Sequence, residues 1–258
     1  MNMYSGFACI LGLLTAATVL LTACATGAQP QGTKAKRVVV VWSEGTAPRN
    51  IYPKDINGAI AEGLASLKDW EVITANISDP DQGLPDALLK RTDVLIWWGH
   101  KKHGLVKDEL VQKIVARVKD EGMGFIALHS SHFAKPNKAL MGTPCSWGGY
   151  KGDSTILKVT VKDPNHPIAR GVKDFTIDHS ERYSEPYAVP EPQAVPFEGV
   201  HEIKDGGNDP SRIGLCWQVG KGKMFYFQAG HETNPVYFDG NVRQIMNNAV
   251  EWAAPARQ

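Results

Sequence analysis

The chain has 258 residues, 28 Lys and Arg against 27 Asp and Glu, and a net charge of +1. Charges of both signs are mixed along it and no basic block stands out, so nothing points to a nucleic-acid partner, and a small, uncharged molecule is the expected ligand. From Arg37 onward about 220 residues remain, enough for one α/β domain with a full core.

The start reads as a targeting segment. Residues 1–33 carry no Lys, Arg, Asp or Glu, and Phe7 to Leu21 is an apolar run of signal-peptide length, short for a membrane span. Leu21-Thr22-Ala23-Cys24 follows and resembles a bacterial lipobox. Residues 1–23 are therefore expected to be a lipoprotein signal peptide, with lipid on Cys24. Residues 24–36, small, polar and containing Pro and Gly, would form a tether. The protein would then sit in the bacterial cell envelope, facing the periplasm or the cell exterior and touching the membrane through its lipid only.

The body opens with RVVVVW, Arg37 to Trp42, a β-branched run without alternation. Such a run marks a central parallel strand covered on both faces. Ile56, Ile60, Leu64 and Leu67 recur at helical spacing. WEVITAN (Trp70 to Asn76) is a second strand, Pro85 to Arg91 a short helix, and DVLIWWGH (Asp93 to His100) a third strand. Val106, Leu110, Val111, Ile114, Val115 and Val118 form one helical stripe, which Gly122 ends as a C′ glycine. GFIALHSSH is the fourth strand. This alternation predicts a doubly wound parallel sheet, which gathers ligands at the carboxyl ends of its strands.

From Ala139 to Arg212 the pattern shifts to short β-like runs, such as STILKVTV (Ser154 to Val161), among Pro, Gly and polar residues. It reads as a β- and loop-rich insertion. The parallel theme is expected to return with IGLCWQV (Ile213 to Val219), the turn GKGK and the strand KMFYFQAGHE, before a last helix carrying Val242, Ile245, Met246, Ala249, Val250 and Trp252. GGYKG and GKGK lack P-loop spacing and read as turns, so no nucleotide cofactor is expected. Cys145 and Cys216 are the cysteines of the body; spacing leaves open whether they pair or stay as two buried thiols.

Three predicted strands end alike, in WWGHKKH, ALHSSH and FQAGHE. They place His100, His129 and His231 at strand ends, with His103 and His132 one helical turn on. Gathered histidines serve one of two purposes. They bind a divalent metal such as zinc, the i, i+3 pairs facing one side of a turn, or they move protons with a carboxylate partner. In SERYSEPY, the alternating Glu181, Tyr183 and Glu185 would share one strand face and offer a base, a metal ligand or hydroxyl contacts. Tryptophans at sheet ends, Trp98 among them, suit the apolar faces of sugar rings.

WWGHKKH, GMGFIALHSSHFAKPNKALMG, NHPIARGV, SERYSEPY, GKGKMFYFQAGHETNP and NNAVEWAA together resemble the trehalose-utilisation (ThuA-like) family, over nearly the whole body from Lys36 to Pro255. The resemblance implies a ThuA-like domain over residues 37–255 with a flavodoxin-like fold like that of class I glutamine amidotransferases. Those enzymes carry a nucleophilic cysteine on the turn after the central strand and a His-Pro-Glu pair later. Here the turn reads Leu128-His129-Ser130-Ser131, which argues against glutaminase chemistry, and Ser130 lacks the G-x-S-x-G frame of a serine nucleophile. The resemblance further implies carbohydrate metabolism on a disaccharide or keto-sugar, with a sugar oxidoreductase in the same pathway. Hydrolase, lyase or isomerase chemistry would fit, as would a non-catalytic carbohydrate-binding lipoprotein. Carried onto this sequence by motif, the site comprises His100, His103, His129, His132, Glu181, Tyr183, Glu185, His231 and Glu232. Within and beside it, the expected catalytic groups are His129, His231, Glu181 and Glu232, and the expected substrate contacts Tyr183, Glu185, Trp98 and Ser130. The expected metal ligands are His100, His103, His129 and His132.

Overall fold

The unbroken apolar runs form strands because both their faces are covered. In β1 (Arg37–Ser43), Val39 and Val41 enter one core layer while Val38, Val40 and Trp42 enter the other. The computed structural model describes Met1, Gly6, residues 35–204 and residues 206–257, with Ser154 described by its backbone alone. Apart from Met1 and Gly6, the expected signal peptide, Cys24 and the expected tether up to residue 34 lie outside the described residues. Among the described residues no helix is long and apolar enough to cross a membrane.

After β1 come α1 (Asp55–Leu64), β2 (Trp70–Asn76), α2 (Asp86–Arg91), β3 (Val94–Trp98), α3 (Asp108–Glu121) and β4 (Gly124–Leu128). A 3-10 turn over His129–Phe133 and α4 (Lys135–Met141) follow, then β5 (Trp147–Val161), β6 (Phe175–Tyr187), β7 (Ala194–Glu202), β8 (Asn208–Val219), β9 (Gly222–Phe227) and α5 (Gly240–Ala253). The strands join one sheet in the order β2-β1-β3-β4-β9-β8-β7-β5-β6. Pairs from β2 through β4 to β9 are parallel. Those from β9 outward are antiparallel. Helices α1 and α5 cover one face and α3 the other. Gly122 ends α3 in the left-handed conformation, as its place after the apolar stripe predicts.

The α/β class holds, with parallel strands at its core, and three expectations change. The segment expected as an insertion continues the main sheet as an antiparallel wing. IGLCWQV lies in β8, which runs antiparallel to β9; the two residues between Val219 and Gly222 make a hairpin, whereas a parallel crossover needs a dozen or more. GGYKG belongs to β5 rather than to a turn. Cys145 and Cys216 are both buried and unpaired.

The β5–β6 hairpin is long enough to curl back over the carboxyl ends of β4 and β9. The carbonyl of Tyr183 in β6 accepts from Gln228 Nε2 at 2.9 Å and from Ser211 Oγ at 3.1 Å. The antiparallel wing thus roofs the strand ends of the parallel half.

The start of β4 lies tight against the end of α5. A Cβ on Gly124 would come within 2.5 Å of the Ala253 carbonyl oxygen. Gly124→Ala is expected to lower stability by about 1–3 kcal/mol through overpacking, read as a shifted denaturant midpoint at unchanged m-value. An unchanged midpoint would show that this contact yields freely.

Candidate active site

Three parallel strand ends and the curled hairpin build the site. His129 begins the 3-10 turn after β4 with φ 48°, and His231 follows β9 with φ 148°. Such conformations cost about 1–3 kcal/mol for L residues and cluster at functional sites. The chain accepts them because the two segments are pressed together: a Cβ on Gly230 would lie 2.7 Å from His129 Cβ. Ser131 Oγ ties the turn to β3, donating to the Trp97 carbonyl at 2.9 Å and accepting from the Gly99 N–H at 2.8 Å.

His129 is fully buried and both its ring nitrogens are engaged. Nδ1 lies 2.8 Å from the Gln228 carbonyl oxygen, which only accepts, so Nδ1 carries a proton. Nε2 lies 2.8 Å from Glu181 Oε2 and 3.1 Å from the Tyr183 hydroxyl, which itself donates to Glu181 Oε2 at 3.0 Å. Burial acts to raise the Glu181 pKa, but the hydrogen bond from His129 and the charges of His129 and His231 outweigh it and hold the carboxyl at about 2. Glu181 is therefore ionised, and a 2.8 Å hydrogen bond to its Oε2 requires Nε2 to donate. Burial raises the Tyr183 phenol well above its ordinary value. The core of the site is a buried imidazolium–carboxylate pair with a neutral phenol bridging both partners.

A second carboxylate organises the other two strand ends. Glu232 is buried; its Oε1 meets Lys101 Nζ at 2.5 Å, and its Oε2 lies 3.5 Å from His100 Nε2 and 3.6 Å from His231 Nε2. His231 Nε2 is also 3.6 Å from Glu181 Oε1. The outer nitrogens are held by hydroxyls, His100 Nδ1 by Ser130 Oγ at 2.9 Å and His231 Nδ1 by Thr233 Oγ1 at 2.7 Å. Burial lowers the pKa of both histidines. Glu232 stays low despite burial because Lys101 and the two imidazoles favour its charge. Glu44, which sequence reasoning missed, sits at the carboxyl end of β1 and shapes the His100 loop. Its Oε2 accepts from the backbone N–H groups of His100, Lys101 and Lys102 at 2.9, 2.6 and 2.9 Å.

Over these groups opens a cleft of about 410 Å³. His100, His103, Ser130, His132 and Tyr183 supply its polar lining, and Phe133, Trp147 and Tyr150 its apolar walls. Phe133 and Tyr150 are exposed, and Trp147 stacks on Tyr187 at 4.2 Å between ring centroids. Two other surface hollows are lined by none of these histidines and lack this chemistry.

The structure brings together His100, His129, His231, Glu181, Glu232, Tyr183 and Ser130. His103 and His132 line the cleft beside them, while Trp98 and Glu185 fall outside. Trp98 is wholly buried inside β3 and cannot reach a ligand. Glu185 forms an ion pair with Arg212 at 2.9 Å. Strict alternation fails there because the pairing steps from Gly149↔Ser184 to Trp147↔Tyr187, with one extra residue on β6. The four-histidine metal set also fails to converge. Both His129 nitrogens are used, His132 Nδ1 faces its own turn's His129 carbonyl at 3.1 Å, and His103 faces Glu44 at 3.8 Å. Among the described residues the His/carboxylate group that does converge is His100, His231 and Glu232, with ligand atoms within 4.8 Å of one another.

Burial lowers the His132 pKa to about 3. Below the unfolded value of 6.5 the unfolded chain takes up this proton while the folded chain does not, so stability falls with pH from 6.5 toward about 3. The slope from this one group reaches about 1.4 kcal/mol per pH unit. His132→Gln is expected to flatten the acid side of the stability profile, measured by urea unfolding at about pH 7 and about pH 5. Equal slopes in both proteins would contradict this.

The family model described as trehalose utilisation, ThuA, matches residues 37–253. Among curated proteins, none matches this sequence. A ThuA-like protein from Parabacteroides merdae superposes with a TM-score of 0.63 at 12% identity, covering 85% of this chain and 90% of the other. A ThuA-like protein from Bacteroides uniformis gives 0.59 at 17% identity, covering 87% and 95%. A glutamine amidotransferase from Thermotoga maritima gives 0.53 at 10%, covering 85% and 100%. At such identities the likeness shows the fold. The chain belongs to the ThuA trehalose-utilisation family, on an α/β fold like that of class I glutamine amidotransferases.

Proposed function

We propose that the protein is a lipid-anchored bacterial envelope enzyme acting on a carbohydrate, a disaccharide or its keto-sugar derivative, by acid–base chemistry at the His129–Glu181 pair. The observation that carries this reading is the buried pair bridged by Tyr183, whose phenol also lines the aromatic cleft. Envelope anchoring rests on the Leu21-Thr22-Ala23-Cys24 pattern.

A sugar ring would lie with its apolar face on Trp147 and Tyr150, and its hydroxyls toward His100, His132 and Ser130. Tyr183 then gives its proton to a substrate oxygen as it takes one from His129 Nε2, while Glu181 stays ionised. The raised Tyr183 pKa disfavours a standing phenolate, so both transfers go together. Run in reverse, the relay is a general base. It serves hydrolysis, elimination and isomerisation alike. A keto-sugar substrate implies a sugar oxidoreductase acting before this protein. Ser130 Oγ and His100 Nδ1 stand at nucleophile–base distance, but His100 Nε2 is 3.5 Å from Glu232 and lacks an orienting hydrogen bond.

A second reading, carbohydrate binding without turnover, draws on the complete burial of His129 and on aromatic cleft walls that need no proton relay. The test is a panel of disaccharides and keto-disaccharides, assayed for binding by calorimetry and for turnover by product analysis. Glu181→Gln and Tyr183→Phe are each expected to lower kcat by about 10²–10⁴-fold, with little change in binding, and Trp147→Ala to weaken binding. Turnover that survives both relay substitutions sinks the acid–base reading. Sugar binding by the wild type without any turnover favours the second.

A further inference from the structure

Beside the proposed relay, Glu232 Oε2 is a buried carboxylate oxygen without a hydrogen-bond partner. Leaving a buried acceptor unsatisfied costs free energy, and a charged one costs more. Two imidazole nitrogens face it, His100 Nε2 at 3.5 Å and His231 Nε2 at 3.6 Å. Both separations are long for hydrogen bonds. They match the ligand-to-ligand spacing of roughly 3.3 Å that tetrahedral geometry gives with zinc–ligand bonds of about 2.0–2.1 Å. The two rings stand nearly perpendicular, at 79°, with centroids 5.1 Å apart.

At His100 the outer contact agrees: the Ser130 hydroxyl at Nδ1 can fix the tautomer that leaves Nε2 bare and aimed inward. His231 Nδ1 meets the Thr233 hydroxyl at 2.7 Å and accepts from the Thr233 N–H at 3.3 Å, so a metal on its Nε2 would have to displace the ring proton and turn this outer contact. Lys101 occupies Glu232 Oε1, which leaves a single carboxylate oxygen for a ligand. The Glu44 carboxylate fixes the backbone of the loop that carries His100. Hydrogen bonding among the three groups does not account for this arrangement, because their inward atoms do not bond one another.

We propose that His100, His231 and Glu232 form a three-ligand site for a divalent transition metal of the zinc class, with a fourth position open toward the sugar cleft. The set His₂Glu plus an open position is the composition of catalytic rather than structural zinc sites. There the ion would polarise a sugar carbonyl or lower the pKa of a bound water. That role rests on the function proposed above; the site itself does not.

The test is metal binding, read independently of any substrate. The full chain, purified without a His tag or chelator, is titrated with zinc against a chromophoric chelator, and metal content after desalting is measured by inductively coupled plasma mass spectrometry. Cobalt(II) serves as a second probe through its visible absorption bands. About one equivalent of zinc per chain is expected. His100→Ala and Glu232→Gln should each weaken binding by at least about 10–100-fold, while His103→Gln should leave it essentially unchanged. Thermal melting of each metal-free variant checks that it folds. Failure of the wild type to retain zinc, or retention undiminished in folded Glu232→Gln and His100→Ala, overturns the proposal. Loss in His103→Gln equal to that in His100→Ala would also overturn it. None of these outcomes bears on the His129–Glu181 relay.

Discussion

The contact between His129 Nε2 and Glu181 Oε2, 2.8 Å long and almost wholly shielded from water, joins the two halves of this protein. The parallel half supplies the histidine from the end of β4. The antiparallel half supplies the carboxylate from β6, which reaches the site only because its hairpin curls over the strand ends. Taking one partner from such a pair leaves a buried, uncompensated charge at a cost of about 3–5 kcal/mol. The pair is therefore a constraint on the fold as well as a chemical group. The left-handed backbone at His129, the lack of room at Gly230 and the Gln228 contact to the Tyr183 carbonyl all serve its placement.

Around that pair the charges follow one pattern. Three carboxylates, Glu44, Glu181 and Glu232, are buried at strand or hairpin positions facing the same end of the sheet. Each is held by different donors: backbone N–H groups for Glu44, His129 and Tyr183 for Glu181, Lys101 for Glu232. Burial meanwhile lowers the pKa of His100, His103, His132 and His231. The result is fixed negative charge beneath mostly neutral imidazoles, under a cleft walled by aromatic rings. A neutral polyhydroxy ring suits such a cleft, since it stacks on aromatic faces while its hydroxyls meet imidazoles and a phenol.

Much of this was legible in the sequence. The first four strands were readable because parallel strands covered on both faces leave unbroken apolar runs, and the rule that ligands gather at their carboxyl ends led to His100, His129 and His231. The direction of β8 was misread because IGLCWQV looks the same in either orientation. The short GKGK turn carried the missing signal, since it allows only a hairpin. Glu44 too follows a predicted strand, but a carboxylate after a strand is ordinarily a solvated loop charge and carries no signal of its own. Glu185 was misplaced because a bulge leaves no mark in a period-2 pattern. Trp98 was misplaced because an aromatic near a strand end is core when the strand continues through it. The metal set was drawn from i, i+3 spacing, a local signal. The group that converges draws on two strand ends more than 130 residues apart in sequence, which only the sheet order brings together.

The central claim is the protonation state of the buried pair, and histidine-selective ¹⁵N nuclear magnetic resonance reads it directly. Long-range ¹H–¹⁵N correlations of the His129 ring at neutral pH, assigned through His129→Gln, report both nitrogens. Protons on both Nδ1 and Nε2, with the Nε2 proton lost or displaced in Glu181→Gln, are the predicted result. A His129 ring that is neutral in the wild type, with one nitrogen bare and indifferent to Glu181→Gln, would contradict the account.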